Sequence, residues 1–129
     1  MLLLIWHAHC YDMLCCLKYE EKRNMSTEPT EQVGTRLLFE NERVRVWDLA
    51  LAPGESLPKH IHRLDFCFIV AQGGALQHVD PDNAANNQDV HYHDAQVVFI
   101  EAHEGVVHNR LVNVGTTPYR NFVIELKQG

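Results

Sequence analysis

The sequence predicts an all-β domain, a sandwich or barrel of short antiparallel strands, and three observations carry that expectation. From Gly34 onward, short apolar segments alternate with turn residues at close intervals. No long stretch with a helical apolar period interrupts them. The last segment alternates cleanly, with Phe122, Ile124 and Leu126 set against Asn121, Val123 and Glu125, as a half-buried strand requires. This reading makes Phe122, Ile124 and Leu126 its core face.

The expected strands, in order, are Thr35 to Glu40, Val44 to Leu51, Phe66 to Gln72, Ala75 to Val79, Gln96 to Ile100, Val107 to Val112 and Asn121 to Leu126. Each is an apolar run bounded by residues that supply turn geometry: Pro53-Gly54, Gly73-Gly74, Asp80-Pro81-Asp82-Asn83 and Gly115-Thr116-Thr117-Pro118. Asp82 to Asp89 is the longest polar interval and is expected to be a mobile loop. Trp47, Phe66, Phe68, Phe99 and Phe122 are expected in the core, the default place for aromatic side chains.

The length of 129 residues fits a single domain, and 46% hydrophobic with 22% charged residues is ordinary globular usage with enough apolar material for a buried core. A formal charge of −6 repels nucleic acid and anionic membrane surfaces, so neither is an expected partner. Of the four cysteines, Cys10, Cys15 and Cys16 crowd the start and only Cys67 lies in the body. A disulfide framework is thereby excluded, and a reducing, cytoplasmic setting is expected.

Residues 1–24 differ in composition from the rest and are read as an N-terminal extension, with Met25 as the expected native start and 25–129 as the barrel domain. The apolar run Leu2 to Trp6 is too short for a membrane span and lacks the basic flank of a signal peptide. The early His7, His9 and adjacent cysteines give no tetrahedral ligand spacing.

Seven of the nine histidines lie between His60 and His108, and imidazole is the commonest metal ligand. His60 and His62 stand two apart, so on an extended strand both point to one face. His108 follows an apolar segment and a turn at Glu104-Gly105. In a closed barrel, distant segments lie side by side, and these three imidazoles can hold one side of a divalent ion while leaving positions open.

The two segments together resemble the paired motifs of the cupin superfamily. The first motif runs Gly, five residues, HxH, three or four residues, Glu, six residues, Gly, and is met at Gly54, His60, His62 and Gly74, with Cys67 at the Glu position. The second is met loosely at Gly105, His108 and Asn113, with His103 near the expected proline and one extra residue before the asparagine. The resemblance covers roughly Leu37 to Lys127 and is similar to small single-domain bacterial cupins, including ones named beta-alanine degradation proteins. It implies a double-stranded β-helix, or jelly-roll barrel, and a homodimer built through sheet edges.

Competing readings stand beside each candidate. His60, His62 and His108 form a metal site, or they hydrogen-bond inside a degenerate barrel. Cys67 is a thiolate ligand favouring zinc, an unligated thiol in the cavity as a resemblance to thiol dioxygenase cupins implies, or a small apolar filler. Asp65 substitutes for the missing carboxylate only if its turn is reshaped. Glu104 is a general base at the cavity rim or a solvated turn residue. His91 and His93, a second same-face pair, are expected at the surface, and the facing of His78 is left open. The expected function is that of a metal-binding cupin, dioxygenase-like if the ion is Fe(II) and Lewis-acidic if it is zinc, with manganese or nickel as further ions, acting on a small organic molecule. The alternative is a metal-free cupin that only binds a small ligand.

Overall fold

The computed structural model describes residues 28–128, so the expectations for the N-terminal extension, the start at Met25 and the early cysteines lie outside the described residues. Within them the strands are β1 (Arg36–Glu40), β2 (Val44–Leu51), β3 (Ser56–Leu57), β4 (His60–His62), β5 (Phe66–Gln72), β6 (Gly74–Val79), β7 (Gln88–Tyr92), β8 (Val97–Ile100), β9 (Val106–His108), β10 (Arg110–Asn113) and β11 (Tyr119–Leu126). A five-stranded sheet, ordered β1-β2-β11-β5-β8, faces a four-stranded sheet, β3-β10-β6-β7, and the short pair β4-β9 forms a third sheet. Every pairing between these strands is antiparallel.

The core lies between the two larger sheets. Leu49, Leu51, Phe66, Phe68, Val70, Tyr119 and Val123 project from the first, and Leu57, Leu76 and Leu111 meet them from the second. Val33, ahead of β1, is fully buried with them. Asn113 ties the end of β10 to the turn before β11. Its amide donates to the carbonyls of Leu51 (2.8 Å) and Thr117 (2.9 Å), while its side-chain oxygen accepts from the Gly115 N–H (2.9 Å). Gly73 is required where the β5–β6 connection passes β7, because a Cβ there would collide with the Tyr92 carbonyl oxygen.

Several expectations are corrected. On β11 the inward face is Tyr119, Asn121, Val123 and Glu125, while Phe122 and Ile124 are half-buried on the opposite face and Leu126 is exposed. The reason is that the outer face of the five-stranded sheet is itself apolar: Phe39, Val46, Ile124, Cys67 and Phe99 form one cross-strand row. Phe99 is accordingly 56% exposed rather than in the core. Inside, Glu125 is buried because its carboxylate accepts hydrogen bonds from the Trp47 indole (2.9 Å) and the Arg45 guanidinium (3.4 Å).

The polar interval before β7 is also more structured than expected. Asp80 Oδ1 accepts from the N–H groups of Asp82 and Asn83, Asn83 caps a single 3-10 turn at Ala84–Asn86, and Asn87 accepts from the Asp80 N–H. Gln88 and Asp89 already belong to β7, an unforeseen edge strand. The expected strand Val107 to Val112 is divided at Asn109 between β9 and β10, which belong to different sheets.

Candidate metal and ligand cavity

The pair β4-β9 builds the centre. Its register sets His60 opposite His108 and His62 opposite Val106, and the two-residue period keeps His60 and His62 on one side. The three ring centroids lie 5.1, 5.2 and 5.0 Å apart, a nearly equilateral arrangement. One nitrogen from each ring falls within 4.8 Å of the others. His60 and His62 are each 2% exposed, and His108 is half-buried.

Hydrogen bonding prepares the rings to act as ligands. His60 Nδ1 lies 2.9 Å from the Pro58 carbonyl oxygen, which can only accept, so the proton sits on Nδ1 and the lone pair is left on Nε2. His62 Nδ1 is buried without a partner among the described residues, and its ring lies flat on Phe66, 3.7 Å between centroids and 11° between planes. Burial, the dominant cause, pushes the His62 imidazole down to about 3 and His108 to about 4, with the neighbouring imidazoles adding to the effect. Burial likewise lowers His60 and His78. All four are neutral bases near pH 7, the protonation state in which imidazole coordinates a metal. The close nitrogens, the freed lone pair of His60 and the orphaned nitrogen of His62 fit a divalent ion.

The trio opens into a cavity of about 90 Å³ shared with Phe66, Phe68, Leu76, Tyr92, Tyr119 and Asn121 among other residues. Among the described residues, no Asp, Glu, Lys or Arg lines it. His78 also lines it, with its ring 5.5 Å from that of His108. A surface groove of about 330 Å³ shares His78 and His108 with the cavity and continues past Asn86, Gln88 and Asn109. The signal for His78 was present in the sequence: it stands two residues after the buried Leu76, on the same face of β6.

Cys67 does not line the cavity. On β5 the inward residues are Phe66, Phe68 and Val70, and Cys67 faces outward between Ile124 and Phe99. The residue facing the histidines where the motif has its glutamate is therefore Phe66, which follows HxH after three residues and has six residues between it and Gly73. Glu104 is exposed in the turn between β8 and β9 and is absent from the cavity lining. Asp65 Oδ1 accepts from the Ala102 N–H (2.8 Å), so it serves the turn. His91 and His93 are exposed, as expected, with centroids 5.0 Å apart.

No protein-family model matches the chain, and no curated protein matches it. Solved structures do. A cupin domain from Bordetella pertussis Tohama I superposes with a TM-score of 0.62 at 23% identity, over 78% of this chain and 98% of that one. A protein with a double-stranded β-helix domain from Klebsiella pneumoniae gives 0.55 at 19%, over 77% and 76%. The polyketide cyclase RemF from Streptomyces resistomycificus gives 0.51 at 21%, over 72% of this chain and 63% of that one. The arrangement of opposed antiparallel sheets that this chain shares with these structures identifies its fold as the cupin double-stranded β-helix.

Proposed function

We propose that this chain is a small metal-dependent cupin that holds one divalent ion on His60, His62 and His108 and acts on a small organic molecule in the adjoining cavity. The observation that supports it most is the convergence of three neutral imidazoles from β4 and β9, with their ligand atoms within 4.8 Å of one another. A bound ion would supply Lewis acidity or, as Fe(II), the redox capacity for a dioxygenase-type reaction; zinc, manganese and nickel suit the same ligands.

The chain's own residues contribute the rest. With Phe66 in place of a carboxylate, no anion among the described lining residues offsets the charge of the ion, so a ligand bearing an anionic oxygen is favoured beside it. Phe66, Phe68 and Val123 exclude water from that side. His78, a neutral imidazole shared by the cavity and the groove, is placed to take a proton from an entering ligand.

Elemental analysis of protein purified without chelator or affinity tag should find about one transition-metal ion per chain, lost in the His60→Ala, His62→Ala double variant. Oxygen consumption should then follow addition of one class among small thiols, diketones and amino-acid derivatives. A chain free of stoichiometric metal, with stability unchanged in the double variant, overturns this reading. That result would favour the metal-free binding cupin, which Phe66 at the carboxylate position also supports.

A further inference from the structure

Across the same cavity lies a polar pair that the metal reading leaves unused. Asn121 is 5% exposed and Tyr119 is fully buried, and both line the cavity. Asn121 Nδ2 donates to the Tyr119 hydroxyl oxygen at 2.9 Å. That bond occupies one end of the amide and leaves Asn121 Oδ1 buried without a partner among the described residues. It also uses the phenol as an acceptor, so its own proton remains available to a ligand. Burial raises the Tyr119 pKa and keeps that proton in place. Almost all buried polar atoms in folded proteins are satisfied, so an orphan acceptor on a cavity wall marks where a partner belongs.

We propose that Asn121 and Tyr119 are specificity-determining residues that select a ligand carrying a neutral hydroxyl, which donates to Asn121 Oδ1 and accepts from the Tyr119 hydroxyl. A carboxylate would set its oxygens against Oδ1 with no proton between them. A ketone would leave Oδ1 unmet. An ammonium group would find no counter-charge, since none of the described residues lining the cavity is acidic. A hydroxyl also satisfies the pair if the amide is turned over, because it can both accept and donate. The cavity is small, about 90 Å³, so a small ligand is favoured. Leu49, a cross-strand neighbour of Asn121, also lines the cavity and is apolar, so the hydroxyl-bearing carbon would rest against hydrocarbon.

The inference rests on this cavity being the ligand site, and the test separates it from the metal assignment. Ligand-observed NMR on the full chain, with and without added Zn(II), compares propan-2-ol with acetone, which are nearly equal in size and differ in the hydroxyl proton. Wild type should bind propan-2-ol at least tenfold more tightly, a difference of about 1.4 kcal/mol. Asn121→Leu should bring the ratio within about threefold. Equal binding of the two probes to wild type overturns the proposal without recourse to any variant, as does binding of neither probe. A ratio that survives in Asn121→Leu overturns it too. If Zn(II) fails to bind while the hydroxyl preference holds and vanishes in Asn121→Leu, the metal assignment falls and the recognition pair stands. If Zn(II) binds and the two probes bind equally, the recognition pair falls and the metal assignment stands.

Discussion

At the scale of single residues, the buried histidines make a pH-dependent contribution to stability that can be measured without knowing the reaction. An imidazole with an unfolded value near 6.5 that is held at about 3 or 4 in the folded chain binds its proton more readily when unfolded. The unfolded state therefore gains protons first as the pH falls. Stability is full above about 6.5 and declines as the pH drops through the window toward 4. In chelator-treated protein, urea unfolding at pH 7 and pH 5 should differ by about 2 kcal/mol on account of His62 alone, with further contributions of the same sign from His60, His78 and His108. His62→Leu should remove about 2 kcal/mol of that difference; an unchanged slope would show that His62 is protonated in the folded state. Phe66 gives a second prediction. Phe66→Glu removes a buried ring and inserts a carboxylate, and should cost at least about 3 kcal/mol in metal-free protein. Excess zinc should restore much of that loss and raise the melting temperature more than in wild type, because the new carboxylate completes an anionic ligand set. The His60–His62 pair was legible because a strand's period leaves no other facing for residues two apart. Cys67 was misplaced because the motif tolerates two spacings and only the pleat of β5, with Phe66 turned inward, selects between them.

At the scale of elements, the centre depends on a two-stranded sheet of three residues per strand, so its register has little redundancy. Gly105 sets the entry to β9 at a φ of +121°, where L side chains are strained, and an added Cβ would lie 3.1 Å from Ile61 Cδ1. Gly105→Ala should thus cost about 1–3 kcal/mol and move β9 relative to β4. The zinc affinity should fall at least tenfold as His108 leaves its place opposite His60. A competition titration with a colorimetric chelator checks this, and unchanged affinity would show that β9 tolerates a new turn. What the sequence conveyed about elements followed the same physics. The long strands β2, β5 and β11 were readable because apolar runs and turn residues bound them. Strand β7 was not, because its edge position asks little of Gln88, Asp89 and His91 beyond solvation. Strand β11 was found but read inside out. Its apolar residues lie on an exterior that is itself hydrophobic, while Asn121 and Glu125 face inward, each bonded to a neighbouring side chain.

At the scale of the whole molecule, fold and site stability are linked, because the three ligands come from both strands of the sheet β4-β9, and His60 is bridged in addition to the distant Thr30. The fold class was legible from punctuation alone, whereas the polar pair Asn121–Tyr119 was not, because no local pattern announces that a strand places an amide inside a barrel. An ion that binds only the folded chain stabilises it by mass action, about 2.7 kcal/mol when its free concentration is a hundred times its dissociation constant. For a chain of this size each kcal/mol corresponds to roughly 3–5 °C in melting temperature. Zinc added to chelator-treated protein should accordingly raise the melting temperature by about 8–14 °C, and excess EDTA should reverse the rise. Magnesium should have little effect, since three neutral imidazoles are poor ligands for a hard cation. His60→Ala should abolish the response while leaving a cooperative transition, because the core between the larger sheets does not include that side chain. An equal zinc response in His60→Ala would place the ion elsewhere, for which the exposed pair His91 and His93 would be the first site to remove.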